Sequence, residues 1–161
     1  MSGIKSLLWA FAFVVPLSAE AAQAMLMSIK GTIQARPPCV INDNQPITAP
    51  FGDVDTTAID GSYKTITLNY SLNCSRAVKS ELKMKVEGQG AAFDQTLLRI
   101  PSYNNLGIAL KIAGQKYPLN TWHNFNANLP PALQAVLVKQ QGSETAGGSF
   151  KSGATLVVDY Q

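Results

Sequence analysis

Residues 25–33 read MLMSIKGTI, and residues 154–161 read ATLVVDYQ. The first stretch alternates. Met25, Met27, Ile29, Gly31 and Ile33 share one face; Leu26, Ser28, Lys30, Thr32 and Gln34 share the other. The second sets Leu156, Val158 and Tyr160 against Thr155, Val157 and Asp159. A period of two is the mark of a half-buried β-strand. The sequence ends at Gln161, inside what reads as a core strand, with no closing hairpin behind it. A spare strand in front and a missing one behind predict a β-domain built to complete a neighbour. The same pattern would also suit MLMSIKGTI as this domain's own first strand.

Period-two patterning recurs between the two ends. Ile66, Leu68, Tyr70 and Leu72 alternate with polar residues, as do Leu82, Met84 and Val86. Leu106–Ile112 and Leu133–Val138 repeat the pattern. Turn-forming stretches separate them, among them Asn42-Asp43-Asn44, Asp60-Gly61-Ser62, Gly88-Gln89-Gly90 and Gly147-Gly148-Ser149. No segment carries a capped helical period; Asp55–Ile59 is expected to form at most one helical turn. Short strands at this spacing predict an all-β sandwich of immunoglobulin type. Residues 25–36 stand apart from the body at 37–161, because Arg36-Pro37-Pro38 interrupts any continuous ladder.

Lys5, the apolar run Leu7–Leu17 and the small-x-small pairs Ala19-Glu20-Ala21 and Ala22-Gln23-Ala24 read as a signal peptide over residues 1–24. It is too short for a membrane span. Cleavage after Ala24 leaves 137 of the 161 residues, one ordinary domain; Ala21 is the second choice. No other apolar run approaches membrane length. The net charge is +3. Arg76, Lys79, Lys83 and Lys85 lack interleaved aromatics, so they read as a solvated strand face and not as a nucleic-acid site.

Two cysteines in an exported chain, Cys39 and Cys74, predict a structural disulfide. Without a CxxC spacing or neighbouring histidines, nothing points to metal or redox chemistry. The only histidine, His123 in TWHNF, has no matching nucleophile. GxSxG, Walker, GxGxxG and zinc spacings are all absent, so neither an enzyme nor a cofactor is expected. A self-contained secreted β-sandwich that binds carbohydrate is the alternative, with Tyr117, Trp122, His123 and Phe125 as its patch.

The order of motifs resembles the chaperone–usher fimbrial subunits, and most of all the small tip or adaptor pilins of P-type fimbriae. IKGTIQARPPCVINDN resembles the start of such chains. FGDV at 51–54, TLNYSLNC ending at Cys74, NNLGIAL at 104–110 and GSFKSGATLVVDYQ at the end follow in the family's order. The resemblance implies an incomplete, six-stranded immunoglobulin-like pilin fold lacking its seventh strand. A periplasmic chaperone would lend a strand to the open groove and hold the C-terminal carboxylate. An outer-membrane usher would then exchange that strand for the N-terminal extension of the next subunit. Carried onto this sequence, the donor face is Met25, Met27, Ile29, Gly31 and Ile33. The groove and chaperone-contacting strand holds Leu156, Val158, Tyr160 and Gln161. Cys39 and Cys74 would join the first two body strands. Gly31 would mark the point where the donor passes close over the acceptor core. The extension is short for the family, and the region after Asn120 is compact. With no room for a receptor-binding domain and with an extension present, the chain is expected to link other subunits, with the tip adhesin among its candidate neighbours.

Overall fold

The structure, a computed structural model, describes Ser28, Lys30, Gly31 and residues 37–161. Residues 1–27, with Met25 and Met27, lie outside the described residues, as do Ile29 and Ile33. Gly31, the one described member of the expected donor face, is exposed.

The strands are β1 (Val40–Ile41), β2 (Ile66–Thr67), β3 (Leu72–Asn73), β4 (Glu81–Glu87), β5 (Leu98–Ile100), β6 (Tyr103–Ile112), β7 (Gln115–Tyr117), β8 (His123–Asn126), β9 (Leu133–Lys139) and β10 (Thr155–Tyr160). One sheet runs β2-β9-β6-β5, with β7 also paired to β6. The facing sheet runs β10-β4-β8, and β1 pairs with β3 in a short ladder of its own. The registered pairs are antiparallel, for example Ile108↔Leu137 in the first sheet and Val158↔Met84 in the second.

The core lies between the sheets because the period-two faces meet there. Leu98, Ile100, Leu106, Ile108, Leu110, Ile112, Leu133, Ala135 and Leu137 come from one side. Leu82, Met84, Val86, Phe125 and Val158 come from the other. Burying such side chains contributes about 1.5–3 kcal/mol each before entropy is subtracted. The 42–44 turn forms where expected, in an unusual way: Asn42, Asp43 and Asn44 all have positive φ (47°, 50° and 62°). Asn and Asp tolerate that region better than other side chains do. Cys39 and Cys74, flanking β1 and β3, are disulfide-bonded with Cα atoms 4.1 Å apart.

Asp55–Ile59 makes a single hydrogen-bonded turn, Ala58 N–H to Asp55 C=O at 3.1 Å, within the expectation of at most one turn. One local expectation changes. The strand β6 is not half-buried: every residue from Leu106 to Leu110 is buried. Between Leu106 and Leu110 its second face carries only Gly107 and Ala109, and the 91–97 turn packs over them through Ala91 and Leu97, beside Val136 of β9. Gly90 enters this turn at close quarters. A Cβ there would sit 2.8 Å from the Cα and carbonyl oxygen of Gln95. Gly90→Ala is therefore expected to cost about 1–3 kcal/mol of stability, read as a lower urea midpoint at unchanged slope.

Candidate strand-acceptor groove

β10 is an edge strand. Its pairing with β4 runs from Thr155↔Glu87 to Tyr160↔Leu82, and its other edge has no ladder partner among the described residues. An unpaired edge is a template for another strand. Alternation turns Leu156, Val158 and Tyr160 to the inner face opposite Val86, Met84 and Leu82. Val158 is buried, while Leu156 and Tyr160 are only half-buried. Gln161 continues the contact with β4: its N–H reaches Glu81 C=O at 3.4 Å, and its side-chain amide donates to Leu82 C=O at 2.8 Å. The Tyr160 hydroxyl accepts the Val78 N–H at 3.2 Å.

Across the gap from β10 runs the segment 45–54, which forms no strand. Between these two rims lies an apolar cavity of about 380 Å³, with Leu68, Tyr70, Ile108, Leu110, Leu133, Ala135 and Leu156 among its lining. A second cavity of about 570 Å³ follows it over Ile59, Leu106 and Leu137. Ala49, Phe51 and Phe150 line both. The floor thus follows alternate residues of β6 from Leu106 to Leu110, a run of about 13 Å at roughly 3.3 Å per residue. Three alternate side chains of an inserted strand, roughly 7 Å apart, would span it.

The floor explains a pattern that sequence alone leaves unexplained. Ile66, Leu68, Tyr70 and Leu72 alternate cleanly with exposed residues, yet each is only half-buried. The ladder holds only at the two ends of this run, in β2 and β3. Leu68 and Tyr70 face the cavity. The groove is not wholly apolar: the Tyr70 hydroxyl donates to the Pro131 carbonyl. Burial pushes its pKa up to about 12, so it stays protonated and keeps donating.

Side chains hold the end of the strandless rim and the segment that follows it, 53–61. Lys64 donates to Asp53 C=O, Lys139 to Thr56 C=O at 3.1 Å and Lys111 to Gly61 C=O at 3.2 Å. Asp60 organises the turn that follows. Its carboxylate accepts the N–H of Tyr63 and the N–H and hydroxyl of Ser62, which bring its pKa down to about 2.

The aromatic residues considered for carbohydrate do not form an open patch. Tyr117 and Phe125 are buried in the core, and the Tyr117 hydroxyl donates to the carbonyls of Thr121 (2.6 Å) and Met84 (3.1 Å). His123 packs edge-on against Tyr117. Trp122 is exposed, but Lys83 and Lys85 cover its ring at 5.1 and 4.5 Å. Lys85 is also paired with Glu87. The two lysines of β4 are thus engaged within the domain itself.

Among the described residues, this is an immunoglobulin-like sandwich with one strand position open. A family model described as fimbrial protein matches residues 27–161. The chain is 31% identical over 133 residues to the uncharacterized fimbrial-like protein YfcR of Escherichia coli strain K12, covering 80% of this chain and 76% of that one. It is 32% identical over 146 residues to the minor fimbrial protein PrsF of Escherichia coli, covering 83% and 86%. The solved structure of the P pilus adaptor subunit PapF is similar with a TM-score of 0.58 at 25% identity, covering 78% of this chain and 97% of that one. The chain belongs to the fimbrial protein family.

Proposed function

We propose that this chain is a linking subunit of a chaperone–usher fimbrium, polymerising by strand donation. The observation that carries the reading is the free edge of β10 facing a strandless rim over an apolar floor. Such a gap fits one extended chain: backbone groups complete the ladder, and alternate side chains fill the cavities. In this reading a periplasmic chaperone occupies the groove first, along Leu156, Val158, Tyr160 and Gln161. An outer-membrane usher then presents the donor of the neighbouring subunit. Residues 25–33, with Met25, Met27, Ile29, Gly31 and Ile33 as the inserted face, fill the groove of another subunit. Residues 37–161 are the acceptor body, carried through the periplasm to a fimbrium on a Gram-negative surface. Likeness to a minor fimbrial protein and to an adaptor subunit favours a place near the tip, next to the adhesin, over a place in the shaft.

The test is a chain in which MLMSIKGTI is repeated after Gln161 through a short flexible linker. The fused chain is expected to be a soluble monomer with a cooperative thermal transition. The unfused chain is expected to aggregate or to melt at a lower temperature. Equal stability of the two, both monomeric, would overturn the reading.

A further inference from the structure

We infer that Phe51 and Phe150 form a clasp across the groove, one that an incoming strand has to part before it can lie down. The inference rests on the strand-acceptor reading above. Phe51 belongs to the strandless rim and Phe150 to the segment leading into β10. Their ring centroids are 5.8 Å apart at 52°, a tilted aromatic contact. Neighbouring strands stand about 4.8 Å apart, so a strand inserted between two edges needs them roughly 10 Å apart. Two rings meeting across that slot occupy the space the strand would use. Both rings line both cavities, so they stand at the division between the two halves of the groove.

The surroundings favour movement of the rings over movement of the floor. Both are half-buried, whereas Leu106, Ile108 and Leu110 beneath are buried in a paired strand. Phe51 is followed by Gly52 at φ 65°, and Phe150 lies between Gly147-Gly148 and Gly153. Glycines on either side let the backbone turn the rings aside with little steric cost. Because the contact is made before entry and lost on entry, it slows association and leaves the completed assembly untouched. A strand that is to fill both the cavity over Leu68, Leu110 and Ala135 and the one over Ile59, Leu106 and Leu137 has to displace the clasp.

The test measures binding of a labelled MLMSIKGTI peptide to the full chain and to its Phe51→Ala, Phe150→Ala and doubly substituted forms. An aromatic pair of this kind sets an association rate gain of between about twofold and about tenfold for either single change. Because both substitutions remove the same contact, the double form is expected to gain no more than a single one. Phe150→Leu, which keeps apolar volume, serves if an alanine form lacks a cooperative thermal transition. Unchanged association with faster dissociation would mean that the rings are only walls of the groove, and would overturn the clasp alone. Rate gains that multiply in the double form would overturn it as well. Failure of every form to bind the peptide would overturn the clasp as the barrier to this strand, while the acceptor reading falls only if the fused chain also gains no stability.

Discussion

A chain lacking residues 25–33 is expected to fold as well as the intact one and to disappear from assembled fibres. Those residues precede the proline pair, and the ladders described for the body pair residues between 40 and 160 with one another, so the urea midpoint should hold. Their loss should fall entirely on assembly. Burying Met25, Met27, Ile29 and Ile33 in a neighbour would contribute about 6–12 kcal/mol gross. Ordering nine free residues costs a comparable amount. The margin therefore comes from the ladder and from covering the acceptor's own exposed floor, and each loss of about 1.4 kcal/mol is about tenfold in affinity. Without any donor the whole margin goes. Quantitative mass spectrometry of purified fimbriae is the measurement. Incorporation at the wild-type level would sink the donor assignment.

The second large effect belongs to the disulfide. Replacing Cys39 and Cys74 by serine opens a closure of 35 residues. In the loop-entropy model that closure is worth roughly 4 kcal/mol. A domain's whole stability is about 5–15 kcal/mol. In a body that also lacks one strand, the loss should be severe. Measured on the donor-fused chain, where unfolding is cooperative, the serine form is expected to show a much lower denaturant midpoint. Without the fused donor it should give little soluble protein. An unchanged midpoint would mean that the β1–β3 ladder is held by packing alone.

The strands of the body are legible in the sequence because their inner faces are continuous and apolar. Leu82-Met84-Val86 and Leu133-Ala135-Leu137 sit where a period of two puts them. The disulfide is legible from a count of two in a chain read as exported. Three features are not. The double burial of β6 depends on the 91–97 turn folding back over Gly107 and Ala109, a tertiary contact that no local period encodes. The path of the 53–61 segment, from the end of the strandless rim onwards, depends on lysines at 64, 111 and 139, far apart in sequence, reaching its carbonyls. A lysine in an alternating strand reads simply as a polar position. The immediate neighbours of Tyr117 and Phe125, Lys116 and Pro118 or Asn124 and Asn126, carry no signal of burial. The burial of the two aromatics is decided by the facing sheet. As for the groove, sequence points to its β10 edge through the alternation of residues 155–160. Its opposite wall, with Phe51, carries no strand pattern at all.

The covalent bridge has a mechanical meaning as well. Cys39 follows the proline pair Pro37-Pro38 directly and precedes the first described strand, β1. The ladder that receives this end, β1 on β3, is only two residues long. Hydrogen bonds in so short a ladder would peel one after another under tension. A load arriving through the chain before Pro37 instead meets Cys39 first and crosses to Cys74 through a sulfur–sulfur bond. From there it spreads through the Ile66–Asn73 run into β9, whose ladder with β6 spans seven registered pairs. The bridge moves the point of attachment off the two-pair β1–β3 ladder and onto the run that leads to β9.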